Sequence, residues 1–389
     1  MRYISGIVTT GCWRLLAILL ISSWVLSIKS DTIAPCKFPA IYNFGDSNSD
    51  TGGISAAFEP IRAPYGEAFF HKPAGRDSDG RLIIDFIAET LKLPYLSAYL
   101  NSIGTNYRHG ANFATGGSTI RRQNETIFEY GISPFSLDMQ IVQFDQFKSR
   151  TADLYNEVKN NTHEAGKLPR PDEFAKALYT FDIGQNDLSV GFRKMSIDQL
   201  RAAMPDIINQ LATAVQHLYQ QGGRSFWIHN TGPIGCLPVN LFYVSNPPAG
   251  YLDEHGCIKA QNDMAVEFNS KLKERVVKLR AELPEAAITY VDVYAAKYGL
   301  ISNAKNLGMA DPLKVCCGYH VKFDHIWCGN KGSVNNSEVY GASCKDPSLF
   351  ISWDGVHYTE AANQWVADHT QNGSLTDPPI PITHACHRL

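Results

Sequence analysis

The 389-residue chain contains no Gly-x-Ser-x-Gly, the pattern that seats a nucleophilic serine on a strand-to-helix elbow. That absence argues against the α/β-hydrolase fold. No Cys-x-x-Cys occurs either, which removes the spacing that structural zinc favours. Basic residues form no patch and do not interleave with aromatics, so nucleic acid is not an expected partner. Beyond the first thirty residues there is no apolar run of about 18 residues, the length a membrane-spanning helix needs. Length alone would permit two or three domains. No linker, repeat or low-complexity stretch divides the chain, so residues 31–389 read as one domain with long surface loops.

The start of the chain has its own character. Arg2 and Arg14 precede an apolar segment over residues 15–26, too short to span comfortably and suited to a signal peptide over residues 1–30, cleaved near Ser30. Losing Arg2, Arg14 and Lys29 takes the formal net charge from −3 to −6. Cys12 leaves with this segment. Eight cysteines remain: Cys36, Cys236, Cys257, Cys316, Cys317, Cys328, Cys344 and Cys386. An even count behind a secretory leader predicts disulfides rather than a metal site. Cys36 and Cys386 would tie the termini together, and Cys236 with Cys257 would close a loop of about twenty residues. The other four pair across Cys316/Cys317 and Cys328/Cys344 in an order the sequence leaves open. Sequons at Asn124, Asn160, Asn335 and Asn372 point to glycosylation on the same secretory route.

Five apolar or β-rich runs read as strands: residues 38–44, 110–114, 177–183, 225–229 and 287–293. Helical patterns lie between them. Leu82, Ile83, Phe86, Ile87 and Leu91 share one face. Residues 197–221 form a long amphipathic stretch with a kink or break expected near Pro205. Residues 257–283 form another, and residues 359–368 a last one. The alternation predicts a three-layer α/β/α fold with a mostly parallel five-stranded sheet. Ligands bind such sheets at the carboxyl ends of the strands. Residues 120–137, 238–256 and 316–344 lack periodicity and are candidate cleft-shaping loops.

Four short segments carry chemistry. Ser47 stands in Gly45-Asp46-Ser47-Asn48, directly after the first strand, and Asp354 and His357 stand in Trp353-Asp354-Gly355-Val356-His357. A serine needs a neighbouring base to act as nucleophile, and a carboxylate fixes that base's tautomer. At three residues' separation, one helical turn or a tight loop can put the carboxylate beside the imidazole. Gly116-Gly117 and Asn186, each following a strand, could supply donors to a developing oxyanion together with the N–H of Ser47. Alone, each segment is an ordinary turn or cap.

Together and in this order, the four segments resemble the sequence blocks of the GDSL (SGNH-hydrolase) family, in its plant secreted esterase/lipase branch. The segments Pro64-Tyr65-Gly66 and 75–81 are similar to that branch as well, and the resemblance covers nearly the whole chain after residue 30. Within the branch it is greatest to the early-nodulin type, some members of which are carbohydrate-active. The resemblance implies Ser47 as nucleophile, His357 as general base and acid, Asp354 as its orienting partner, and Ser47, Gly117 and Asn186 as oxyanion donors. The motif leaves Gly116 open in place of Gly117. The chain has Asn48 where the family name has leucine, at a variable position after the nucleophile.

The expected activity is hydrolysis of carboxylic esters through an acyl-Ser47 intermediate, with no metal or organic cofactor. Short acyl groups are expected, possible alcohols being an acetylated carbohydrate or a plant metabolite. The location is extracellular, in apoplast or cell wall. An acyltransferase or a glycosidase on the same scaffold is the first rival; a glycosidase needs two carboxylates, for which Asp46 and Asp354 would be the candidates. A catalytically silent extracellular binding protein is the second.

Overall fold

Alternation along the central strands sorts the side chains into two cores. The structure, a computed structural model, describes residues 34–123, 131–158, 160–321 and 324–387. The leader with Cys12, and the sequon Asn124 in the first candidate loop, lie outside the described residues. Strands β1 (Ile41–Gly45), β2 (Gly110–Asn112), β3 (Leu178–Asp182), β4 (Ser225–His229) and β5 (Ala287–Val291) pair in parallel in the order β5-β4-β3-β1-β2. On one face Tyr42, Phe44, Tyr179, Phe181, Phe226, Ile228 and Tyr290 are buried with the long helices α3 (Leu137–Val158), α5 (Ile197–Gln220) and α6 (Lys259–Glu282). On the other, Ile41, Leu178, Trp227 and Val291 meet α2 (Ile83–Thr90), α7 (Val293–Asn303) and α8 (Glu360–Gln371). The period-2 alternation of a strand covered on both sides produces this division, and each large apolar side chain removed from water contributes about 1.5–3 kcal/mol. Helix α1 (Gly53–Ala57) is a short turn behind the nucleophile segment, and α4 (Gln185–Lys194) follows β3.

Two features differ from the sequence expectation. The sheet has a sixth strand: β10 (Thr376–Asp377) pairs antiparallel with β5 at the edge. A two-residue strand that stops before Pro378 carries no periodicity, and the proline cannot extend the ladder, so nothing local marked it. Helix α5 runs unbroken through Pro205. Pro205 faces solvent, while Leu200, Met204, Ile207, Ile208 and Leu211 are buried beneath it. The carbonyl that loses its partner is on the wet side, and packing of the apolar stripe keeps the helix whole.

The eight cysteines form four disulfides: Cys36–Cys386, Cys236–Cys257, Cys316–Cys344 and Cys317–Cys328. The order left open at Cys316 and Cys317 is decided by backbone form. This stretch is extended, bridging Val315 to Ser352 and Cys317 to Ser343, so adjacent side chains point opposite ways and reach different partners. The segment they staple carries two short hairpins, β6–β7 (Tyr319–Val321 with Asp324–Ile326) and β8–β9 (Lys331–Val334 with Ser337–Tyr340).

Candidate active site

In this strand order the chain leaves β1 towards β2 on one side and returns to β3 on the other. The reversal opens a crevice at the carboxyl ends of β1 and β3. Ser47 lies two residues beyond the end of β1, and Asn186 sits in the first turn of α4, just after β3. The turn after β1 is held from within. Asp46 accepts hydrogen bonds from the backbone N–H and side-chain amide of Asn48 (2.9 and 2.8 Å). Asp50 accepts the N–H groups of Gly52 (2.8 Å), Gly53 and Ile54 (2.9 Å). Gly45 has to be glycine, because a Cβ there would sit 2.3 Å from Ser49 Oγ and 2.7 Å from the Asp182 carbonyl.

The second half of the site comes from a tight loop, one of the two forms the spacing allows; α8 begins only after it. Trp353 N–H donates to the His357 carbonyl (2.8 Å), and Gly355, at φ 97°, turns the chain between them. Asp354 Oδ1 accepts the N–H groups of Val356 (2.9 Å) and His357 (2.8 Å). Asp354 Oδ2 lies 2.7 Å from His357 Nδ1, and His357 Nε2 lies 2.8 Å from Ser47 Oγ. Serine, histidine and aspartate therefore form one continuous chain of hydrogen bonds. Tyr65 adds a donor the sequence reading did not single out: its hydroxyl reaches Asp354 Oδ2 at 2.9 Å. The only signal was its place in the Pro64-Tyr65-Gly66 segment.

Asp50 engages one member of the glycine pair. Gly116 N–H donates to Asp50 Oδ2 (2.8 Å) and is spent there. Gly117 stands at φ 76°, a conformation that favours glycine. Asn186 Nδ2 donates to the Ser118 carbonyl (3.0 Å), which brings the glycine turn against α4. Asp187 strengthens this junction by accepting the N–H groups of Ile120 (2.7 Å) and Arg121 (3.0 Å).

Burial disfavours charge on His357, but the carboxylates of Asp354 and Asp77 outweigh it and raise its pKa to about 9. Burial likewise pushes Asp354 up. The His357 imidazolium and the two backbone donors reverse that and hold it at about 2. Asp77 is raised to about 6 by loss of water, against the pull of His357.

Beneath the nucleophile turn is a second ionisable group of residues that sequence reasoning missed. Lys297, Asp46, Asp182 and His229 are all buried. His229 Nε2 accepts the Trp227 indole N–H (3.1 Å), which puts the imidazole proton on Nδ1, 3.2 Å from Asp182 Oδ2. Lys297 Nζ is 3.4 Å from Asn48 Oδ1 and 4.5 Å from the Tyr358 ring centroid. It therefore touches both halves of the site, the residue after Ser47 and the residue after His357. Burial lowers the Lys297 pKa, while Asp182 and Asp46 oppose the shift. Burial, then repulsion from Asp182, raises Asp46 to about 7. Lys297 sits on α7, outside all four motif segments and 249 residues from Asn48, and nothing local in the sequence marks it.

A cavity of about 700 Å³ borders the far side of the nucleophile turn, lined by Thr51, Gly52, Phe70, Arg76 and others. Ser47, Asn186 and His357 do not line it.

A hydroxyl–imidazole–carboxylate chain at the switch point of a doubly wound sheet defines a class, the serine hydrolases. The comparisons with known proteins place the chain within that class. Residues 41–370 match the model of the GDSL-like lipase/acylhydrolase family, and the chain belongs to that family of ester-hydrolysing enzymes. It is 71% identical over 381 residues to a GDSL esterase/lipase of Arabidopsis thaliana, covering 98% of this chain and 96% of the relative. It is 48% identical over 355 residues to the GDSL esterase/lipase ENOD8 of Medicago truncatula, covering 91% of each. It is also 49% identical over 358 residues to a protein named alpha-L-fucosidase 3 of Arabidopsis thaliana, covering 91% of this chain and 93% of that one.

Proposed function

We propose that the protein is an extracellular esterase in which Ser47 is the nucleophile, His357 the general base and acid, and Asp354 its orienting partner. The observation that carries this reading is the continuous chain Ser47 Oγ–His357 Nε2 (2.8 Å) and His357 Nδ1–Asp354 Oδ2 (2.7 Å). Ser47 Oγ attacks the ester carbonyl carbon while Nε2 takes its proton. Asp354 stays ionised and steadies the imidazolium. The oxyanion is met by the N–H groups of Ser47 and Gly117 and by the Asn186 amide, whose Nδ2 carries a second hydrogen beyond the one given to Ser118. His357 then returns the proton to the leaving alcohol oxygen. Water repeats the sequence in reverse and releases the acid. Asn186→Ala is expected to lower kcat by roughly 10²–10³ with KM steady. A tenfold rise in KM at normal kcat would make Asn186 a ground-state contact instead.

The preferred acyl groups are short, acetyl first. The 700 Å³ cavity does not open onto Ser47, so a long chain threaded into it would not start from the reacting atom. The alcohol is a carbohydrate or a related plant metabolite. Four disulfides fit a protein that residues 1–30 direct out of the cell, and the sequons Asn160, Asn335 and Asn372 are exposed. The name of the fucosidase relative favours one second reading, a glycosidase. Against it, Asp354 is engaged by His357 and Tyr65, and Asp46 is buried under the nucleophile. A fluorophosphonate probe should label wild type and not Ser47→Ala, and aryl esters from C2 to C12 should be cleaved fastest at C2. Labelling that persists in Ser47→Ala sinks the assignment. A maximum at C8 or beyond makes the enzyme a lipase, and cleavage of an aryl fucoside that is lost in Ser47→Ala restores the glycosidase.

A further inference from the structure

Two of the aperiodic loops converge beside the catalytic turn and build a cluster of rings. Phe242 and Tyr243 come from the 238–256 loop, and His320, His325 and Trp327 from the disulfide-stapled hairpin β6–β7 and the residue after it. The Phe242 and His320 rings stack at 4.3 Å between centroids. His325 meets Trp327 edge-on at 5.2 Å and Tyr243 edge-on at 5.4 Å. The Tyr243 hydroxyl lies 3.0 Å from His325 Nε2. Tyr243 is 56% exposed and Trp327 39%, so these rings are not there to fill the core.

The cluster is fixed to the catalytic turn. A Cβ on Gly355 would lie 3.0 Å from the edge of the Phe242 ring, and Val239 N–H donates to the Gly355 carbonyl (3.0 Å). From the other side, Cys317 N–H donates to the Trp353 carbonyl (2.6 Å), and Cys317–Cys328 ties together the ends of the hairpin. The rings thus abut the loop that carries Asp354 and His357. His357 hands its proton to the leaving oxygen, so the part of the ester on this side is the alcohol.

We infer that Phe242, Tyr243, His325 and Trp327 form a subsite for a sugar ring, the alcohol half of the ester. The inference rests on the serine-esterase reading and names the substrate class it acts on. A pyranose presents an apolar face of C–H groups that packs on aromatic rings, and a rim of hydroxyls that need donors and acceptors. This cluster supplies both, since its rings carry the imidazole nitrogens of His325 and the hydroxyl of Tyr243 at their edges. An alkyl chain would use only the faces, whereas the hydroxyls of a sugar also meet the Tyr243–His325 pair at the edges. Burial, then the neighbouring His325, lowers the pKa of His320, which suits a neutral ligand.

The test uses the full protein with three acetate esters: a monoacetylated methyl glucoside, phenyl acetate and ethyl acetate. The kcat/KM ratio of the glucoside ester to ethyl acetate should fall about tenfold in Trp327→Ala, mainly through KM, and recover in Trp327→Phe. Calorimetry on Ser47→Ala, which cannot turn the ester over, should show binding of the glucoside ester that weakens by a similar factor when Trp327→Ala is added. An unchanged ratio and unchanged binding overturn the subsite while ethyl acetate hydrolysis and fluorophosphonate labelling leave the esterase reading standing. A larger loss for phenyl acetate than for the glucoside ester overturns the sugar in favour of an aryl alcohol. Loss of labelling in wild type would remove the esterase reading itself, and calorimetry would still decide whether the rings hold a sugar.

Discussion

The two halves of the site are supported in different ways. The Ser47 half hangs from the sheet, where Tyr42, Phe44, Tyr179 and Phe181 are fully buried between layers of helices. The His357 half leans on the Cys316–Cys344 segment, whose strands are three or four residues long and, Ile326 apart, exposed or half-buried. Its apolar centre is little more than Trp353 and the cysteines Cys316, Cys317 and Cys328, with Tyr65, Cys344 and Phe350 around them. A sheet of this size stabilises itself by area removed from water. A segment with so little to bury is held by cross-links, which act mainly by restricting the unfolded chain. The Ser47 hydroxyl is thus held by packing and the His357 imidazole by covalent staples. Lys297, touching Asn48 on one side and Tyr358 on the other, joins the two.

The strongest test of this division leaves both supports intact and removes only the chemistry. His357→Ala should lower kcat by roughly 10⁴-fold or more while the melting temperature stays close to wild type. A large fall in melting temperature would show that the catalytic hydrogen bonds are themselves structural. Lys297→Met should instead act on the joint. It removes the buried cation that bonds Asn48 and faces the Tyr358 ring and should cost about 3 kcal/mol of stability in urea unfolding, from the lost charged hydrogen bond and cation–ring contact. A neutral outcome would mean that the two halves are supported independently.

Removing one staple should separate the regions further. The Cys317–Cys328 bridge spans 11 residues, and its loss in Cys317→Ser/Cys328→Ser should cost about 2–3 kcal/mol in the chain-entropy model. Hydrogen exchange should quicken in β6 and β7 while β1, β3 and β4 keep their protection. Uniform loss across the sheet would break the distinction.

The mildest probe is pH. A general base must be neutral, and His357 is held up at about 9 by Asp354 and Asp77 against its burial. kcat/KM should therefore climb through neutral pH, reach half its maximum at about pH 9 and level off above it, where an ordinary histidine would have its midpoint at about 6.5. Stability runs the other way. A histidine whose pKa is raised on folding contributes fully below its unfolded value of about 6.5, and that contribution disappears as pH rises through about 9. Asp354, lowered to about 2, contributes above its unfolded value of about 4 and loses that contribution as pH falls through about 2. A rate plateau below pH 7 would remove the Asp354–His357 coupling from the account.

Much of this was open to reading in one dimension because the signals are local. The alternation of Ile41, Tyr42, Asn43 and Phe44, and the stripe of Leu200, Met204, Ile207 and Leu211, are written by the periods of a strand and a helix, and those periods imply the parallel sheet. Ser47 and Asn186 follow strands, and Asp354 and His357 are close enough in sequence for one turn to join them. Tertiary structure alone decided the rest. Asp50, a neighbour of Ser47 in sequence but of Gly116 only in space, accepts the Gly116 N–H. Tyr65 reaches Asp354 across 289 residues, and Lys297 reaches Asn48 across 249. The partners of Cys316 and Cys317 depended on the extended backbone that points the two side chains apart. Periodicity reports which face a residue turns inward. Which residue of another segment meets it there depends on how the layers pack, and that packing is set by the whole chain at once.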